Sequence, residues 1–299
     1  MSKIKDYHIT PFFCLILYIL IFAASFIKPG GEFSANTLLF ALVTQLLVFV
    51  LPSIIYKRIK GPIRYREAGF RIFGASSVLL VICASVFMFC ASVLIGLKTS
   101  GSSGAYYADL SEINLPGILY VILIYCLLPA VTEEIAFRSV IYGEYRKHGI
   151  FGAVILSSAL FALVHFSLSS FLSYFLCGAV LALIYEVTRS VFASMLTHFL
   201  YNLMSVFSQK ILSDAANKAD NMIPFIFAFV CAMLLFLFFS LSRAQRILEY
   251  DAAKQPESEN EELPPFPVRL RSLMISLVSP GFLLCIGFAV FAGLMRAGQ

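Results

Sequence analysis

Nine runs of mostly apolar residues, each about as long as a membrane helix, constrain this chain more than any other feature. A hydrocarbon core about 30 Å thick takes roughly 20 residues at about 1.5 Å per residue. The runs read as spans at 8–27, 33–56, 72–97, 113–131, 149–166, 168–188, 190–207, 222–242 and 272–295. Lipid offers backbone N–H and C=O groups no partner, so runs of this kind must be helical. The expectation is an all-α polytopic membrane helix bundle of about eight to nine spans. Of the 299 residues, 60% are hydrophobic and 13% charged, where soluble domains are about half apolar and about a quarter charged. The first run is read as a retained span and not a removable leader, because it is long and ends in "KPGGEF" without a small-residue cleavage pattern.

Charge supplies an orientation. With the N-terminus cytoplasmic and nine alternating spans, 17 of the 22 basic residues fall on the cytoplasmic side and 5, Lys28, Lys98, Lys210, Lys218 and Arg296, on the other. That asymmetry fits the positive-inside rule. It gives a multi-pass protein of the cell membrane with a cytoplasmic N-terminus. The basic residues are spread over juxtamembrane loops, so the net charge of +5 reports topology and not nucleic-acid binding. The seven cysteines all lie in the expected spans without metal-like spacing and read as packing residues.

The division along the chain is a membrane domain over 1–242, with its motif core at 113–207, a cytoplasmic linker over 243–271, and an extra C-terminal transmembrane helix over 272–299. The Ser/Gly-rich stretch 99–112 reads as an outer loop. No internal repeat is visible, which removes the inverted-repeat signature of a transporter.

Charged groups within apolar spans cost roughly 2.5–3.5 kcal/mol each on insertion scales. A chain this poor in charge nevertheless keeps "TEEIAFR", with Glu133, Glu134 and Arg138, at the end of an apolar run. Positions four apart share a helix face, so Glu134 and Arg138 pair. Glu133 points about 100° away and has no partner on its own helix. "FALVH" sets Phe161 beside His165, and "HFLYN" sets His198 beside Asn202. A hairpin at Lys147–Gly149 brings Glu133 level with His165, provided the helix of Glu133 runs on to about 147, kinked at Pro129. A carboxylate and an imidazole can deprotonate water, and a second imidazole with an amide can hydrogen-bond a developing oxyanion. Two His and a Glu can also hold zinc, but here the His residues are 33 positions apart and not four.

The motifs "EEIAFR", "FALVH" and "HFLYN", in that order on successive membrane helices, resemble the CPBP family of CAAX proteases and bacteriocin-processing (Abi, Rce1-type) enzymes, over roughly residues 113–207. The resemblance implies an eight-helix core and an intramembrane glutamate-dependent endopeptidase. In it Glu133 activates water with His165, and His198 and Asn202 form the oxyanion hole. Glu134, Arg138 and Phe161 play supporting parts. It implies no firm cofactor; a divalent metal such as zinc is the disfavoured option, although such families have been described as metalloproteases. The partners implied are the lipid bilayer and a membrane-embedded or lipid-modified peptide, prenylated CAAX-type or a bacteriocin leader. The chain departs from the usual pattern in having Ser139 after the motif arginine.

Plainer readings stand beside these. Glu134 and Arg138 read as a structural pair near an interface, and Glu133 can snorkel to the surface. His198 and Asn202 can act as interhelical glue, and Glu186 with Arg189 reads as a solvated pair. The alternatives to a peptidase are a non-catalytic scaffold or immunity protein that binds peptides, and a small-solute transporter.

Overall fold

The computed structural model describes residues 3–27, 35–61, 69–97, 115–147, 149–218, 222–254 and 265–297. Among the described residues every regular element is helical and no strand occurs. The elements in order are α1 (Lys3–Ala24), α2 (Asn36–Lys60), α3 (Ser76–Gly96), α4 (Leu115–Arg146), α5 (Ile150–Leu163), α6 (Phe171–Thr188), α7 (Val191–Lys218), α8 (Ile223–Lys254), α9 (Phe266–Leu277) and α10 (Pro280–Ala297). Six helices, α2, α3, α4, α6, α7 and α8, carry segments long and apolar enough to cross a membrane. The last pair, α9 and α10, is bent by 47° and makes a seventh if counted as one broken span. The apolar stretch of α1 and the whole of α5 are shorter. Each expected span therefore coincides with an apolar helix or helix pair, and two of the nine fall short of full spanning length. The chain is an all-α, multi-pass helical bundle.

Two proline-bearing spans stay continuous in the same way. In α2 a π-helical stretch, Leu46–Val50, immediately precedes the turn holding Pro52. In α4 another, Ile122–Leu127, precedes Pro129. Proline lacks an N–H and its ring clashes with the carbonyl four residues back, and a widened turn absorbs both problems. Pro129 therefore does not break α4, which runs unbroken from Leu115 to Arg146 as the alignment of Glu133 with His165 requires. A third π-helical stretch, Ile135–Tyr142, follows the two glutamates directly.

The basic loops gather at one end. Arg71 donates from Nε to Arg189 O at 2.7 Å and from Nη2 to Thr188 O at 3.1 Å. Lys60 lies 3.8 Å from Glu144, and the side chain of Arg269 packs on Gly149. The N-terminal half of α1 belongs to this end, with Thr10 Oγ1 3.5 Å from Tyr56 Oη.

The C-terminal helices pack into the same bundle. α10 lies against α1 and α5. Cys285, Ala289, Ala292 and Gly293 form a small-residue stripe; the first three are buried, and close approach of this kind is how membrane helices associate. The expected linker is shorter than the composition suggested. α8 continues past 242 to Lys254, and α9 begins at Phe266, because "SRAQRILEYDAAK" is rich in good helix formers. The stretch 99–112 and residues 255–264 lie outside the described residues.

Candidate active site

The middle of α4 faces α5 and α7. Glu134 and Arg138 are both 0% exposed, with Arg138 Nε 2.9 Å from Glu134 Oε2. The contact is an ion pair without aligned hydrogen-bond geometry. The guanidinium also lies over the Phe161 ring, 5.1 Å from its centroid. The same carboxylate accepts a short hydrogen bond from Ser194 Oγ and one from His198 Nδ1 at 3.2 Å. The expectation of an interfacial pair is therefore corrected: Glu134 is a fully buried acceptor serving α4 and α7 together. A carboxylate this deep must be hydrogen-bonded and ion-paired, and Ser194 sits one turn before His198, where both reach it.

Glu133 behaves differently. Its Oε2 is buried without a hydrogen-bond partner, and it lines a cavity of about 360 Å³ together with His165, Gln45, Thr44 and Arg296. Cavities of a few hundred Å³ hold small ligands and short peptide segments. His165 is stacked on Tyr174, with ring centroids 3.7 Å apart at 15°. Its Nδ1 is 2.9 Å from the Phe161 carbonyl. A carbonyl only accepts, so Nδ1 carries the proton and the neutral ring keeps its lone pair on Nε2. Phe161 is the hub of the site, 5.1 Å from His165, 5.9 Å from His198 and 5.1 Å from Phe137 between ring centroids.

Glu133 and His165 thus share one cavity. His198 and Asn202 do not line it; His198 is held by Glu134, and Asn202 Nδ2 donates to Cys126 O at 3.4 Å. The latter bond ties α7 to the π-helical stretch of α4. Among the described residues no three His, Cys, Asp or Glu side chains gather at metal-ligand spacing.

The cavity lies in the half of the bundle away from the N-terminal end. It is lined by the last turn of α1 at Ile21 and Ala24, by Ser25, and by Arg296 at the end of α10. Towards the basic end Phe137, Ile141, Tyr142 and Tyr145 are all buried and pack α4 solidly. The cavity therefore faces the half of the bundle away from the basic loops. Glu186 needs a second correction. It is not part of a solvated pair but a buried acceptor for Tyr142 Oη at 2.8 Å, Arg146 Nε at 2.9 Å and Arg189 Nη2 at 2.8 Å.

Sequence reasoning missed Tyr174, Gln45 and Arg296. Gln45 accepts from Thr132 Oγ1 at 2.7 Å across α2 and α4. None of the three lies within a motif, and their nearness to Glu133 is set by tertiary packing alone.

Residues 115–204 match the family described as type II CAAX prenyl endopeptidase Rce1-like. A protein of Bacillus subtilis (strain 168) named "Putative membrane peptidase YdiL" is 32% identical over 89 residues, which is 29% of this chain and 36% of that protein. The chain thus matches little more than a third of that relative's length. No solved structure matches. The matched segment holds all three motifs and every residue around Glu133 and Glu134 that α4, α5 and α7 supply. In its segment 115–204 this multi-pass membrane chain is similar to the Rce1-like CAAX protease family.

Proposed function

We propose that the protein is an intramembrane endopeptidase in which Glu133 activates a water molecule to cleave a peptide bond of a membrane-associated substrate. The observation that carries this is the Glu133 carboxylate, its Oε2 buried without a hydrogen-bond partner among the described residues, lining the cavity it shares with His165. A carboxylate left open in a chain that satisfies its neighbours has a task that needs a free acceptor.

In the proposed reaction, water enters between Glu133 and the Nε2 lone pair of His165. Glu133 takes one proton as the O–C bond forms at the substrate carbonyl. The tetrahedral oxyanion is met by donors from α7, Asn202 Nδ2 and the His198 ring. Asn202 gives up its long bond to Cys126 O to do so. His198 donates from Nε2 only as imidazolium, because Nδ1–H is committed to Glu134. Collapse breaks the C–N bond, and the proton held by Glu133 goes to the leaving amine. The Glu134–Arg138 pair fixes the helix that presents Glu133. No metal takes part in this scheme. Prenylated and non-prenylated peptides are both candidate substrates, and the N-terminus is assigned to the cytoplasm by the distribution of basic loops.

The test is cleavage of a quenched peptide library, with and without a prenyl group, by detergent-purified protein. Glu133→Gln is expected to lower turnover by roughly 10²–10⁴-fold while peptide binding and the thermal midpoint stay near wild type. Full turnover in this variant defeats the assignment. Chelator insensitivity is expected, and chelator-dependent loss of activity would reinstate a metal. A peptide-binding scaffold would bind without turning over in wild type as well.

A further inference from the structure

The cavity holds a cationic residue that the reaction above does not use. Arg296 comes from the last turn of α10, outside the segment 115–204, and lines the cavity with Glu133 and His165. Its position is built. Ala289, Gly293 and Arg296 fall at i, i+4 and i+7, on one face of α10. A Cβ on Gly293 would sit 2.8 Å from the Phe166 carbonyl, so only glycine lets α10 approach the turn that follows His165 this closely. That turn carries Phe166 at φ 52°, and the Phe166 ring packs against Tyr18, Phe22 and Phe288. The Arg296 guanidinium rests over the same ring, 4.9 Å from its centroid. No hydrogen bond or ion pair joins Arg296 to any described residue.

Arg296 is among the few basic residues at the end opposite the basic loops. A guanidinium stacked on an aromatic face keeps its N–H fork free, and that fork matches the two oxygens of a carboxylate. Glu133, the acid of the same cavity, is not its partner. With Glu133 acting on the scissile carbonyl, a cation elsewhere in the cavity fixes which way a peptide lies.

We propose that Arg296 is a specificity-determining residue that binds an anionic oxygen pair of the substrate, a peptide carboxylate, and so sets the direction in which the peptide enters the cavity. This rests on the peptidase reading of the cavity. A lipid phosphate presents similar oxygens at the same depth and is the competing source.

The probes are a fluorescent, farnesylated hexapeptide with a free C-terminal carboxylate and its carboxamide twin, presented to full-length protein in phosphatidylcholine nanodiscs. Binding is read by anisotropy on Glu133→Gln protein, so that turnover does not enter, and cleavage on protein with Glu133 intact. The acid is expected to bind about tenfold more tightly than the amide, the scale of one charge-assisted bond. Arg296→Gln is expected to erase that preference, Arg296→Lys to keep part of it, and all three proteins to melt within a few degrees of one another. Equal binding of acid and amide by the Arg296-containing protein, or a preference that survives Arg296→Gln, overturns the proposal. Loss of binding when phosphatidylglycerol replaces part of the phosphatidylcholine, with acid and amide treated alike, assigns Arg296 to lipid phosphate and also overturns it. Selective binding of the acid without cleavage overturns the peptidase reading and leaves the anion site standing.

Discussion

Two buried carboxylates of this bundle are satisfied in opposite ways. Glu186, near the basic end, takes a bidentate arginine, a second arginine and a tyrosine hydroxyl. Its arginines reach water, with Arg146 22% and Arg189 41% exposed. Glu134, in the middle of the bundle, takes one arginine, one serine and one histidine, and neither it nor Arg138 touches solvent. The first cluster clamps α4 to the α6–α7 turn at a wet rim. The second is dry and lies beside Glu133, whose Oε2 has no hydrogen-bond partner among the described residues. Enough donors gather on Glu134 to hold it as an anion in the interior, and none is spent on Glu133. The neighbouring residue is thereby left open to the cavity, which is what a general base requires.

The widest break between the two clusters comes from removing their cations. Arg138→Ala leaves Glu134 as an uncompensated buried charge, at a cost of roughly 3–5 kcal/mol. Seven cysteines, six of them buried, make thiol-reactive dye melting a direct readout. A fall in midpoint of roughly 6–20 °C is expected for that loss. A shift of less than about 2 °C would show that the pair contributes as little as a surface bridge.

Ser194→Ala sharpens the comparison from within the dry cluster. It removes one donor from Glu134 while leaving Arg138 and His198 in place. A hydrogen bond to a charged group contributes about 1.5–3 kcal/mol, and melting should fall accordingly. Turnover should fall with it, because His198 is oriented by the same carboxylate. Unchanged turnover with lowered stability would confine Ser194 to packing and separate the cluster from the chemistry.

The pattern that makes this comparison possible was only half legible in the sequence. Spacing alone pairs Glu134 with Arg138 and leaves Glu133 bare, because a helix fixes which residues share a face. The hairpin count alone brings Glu133 level with His165. The all-α bundle follows from run length. What spacing does not contain is depth along the membrane normal. Glu186 and Arg189 sit at a chain turn and so read as solvated, yet Tyr142 and Arg146 from another helix cover them. Ser194 belongs to none of the motifs, yet it and His198 both reach Glu134, which lies 60 positions before Ser194. Gln45, Tyr174 and Arg296 belong to no periodic pattern at all, since each approaches the cavity from a helix whose place is set by packing. The two short helices, Ile9–Ala24 and Ile150–Leu163, read as full spans because their apolar runs continue into turns.

The smallest effect is expected at the wet rim. Arg146→Ala leaves Glu186 with Tyr142 Oη and Arg189 as donors, so no charge is stranded. Partly exposed ion pairs contribute about 0.2–1 kcal/mol, and the bidentate geometry of Arg146 places it at the upper end. The melting midpoint should fall by about 2–4 °C at low salt. Raising salt to about 1 M shortens the screening length to about 3 Å, and the gap between wild type and Arg146→Ala should narrow. The gap between wild type and Arg138→Ala should not, because no ions reach a pair that solvent does not touch. Arg146→Lys separates charge from fork geometry: a lysine keeps the charge and loses the second hydrogen bond, so it should recover part of the stability and all of the salt dependence. A salt-independent loss in Arg146→Ala as large as that of Arg138→Ala would erase the distinction between the two clusters and make Glu186 a second dry site.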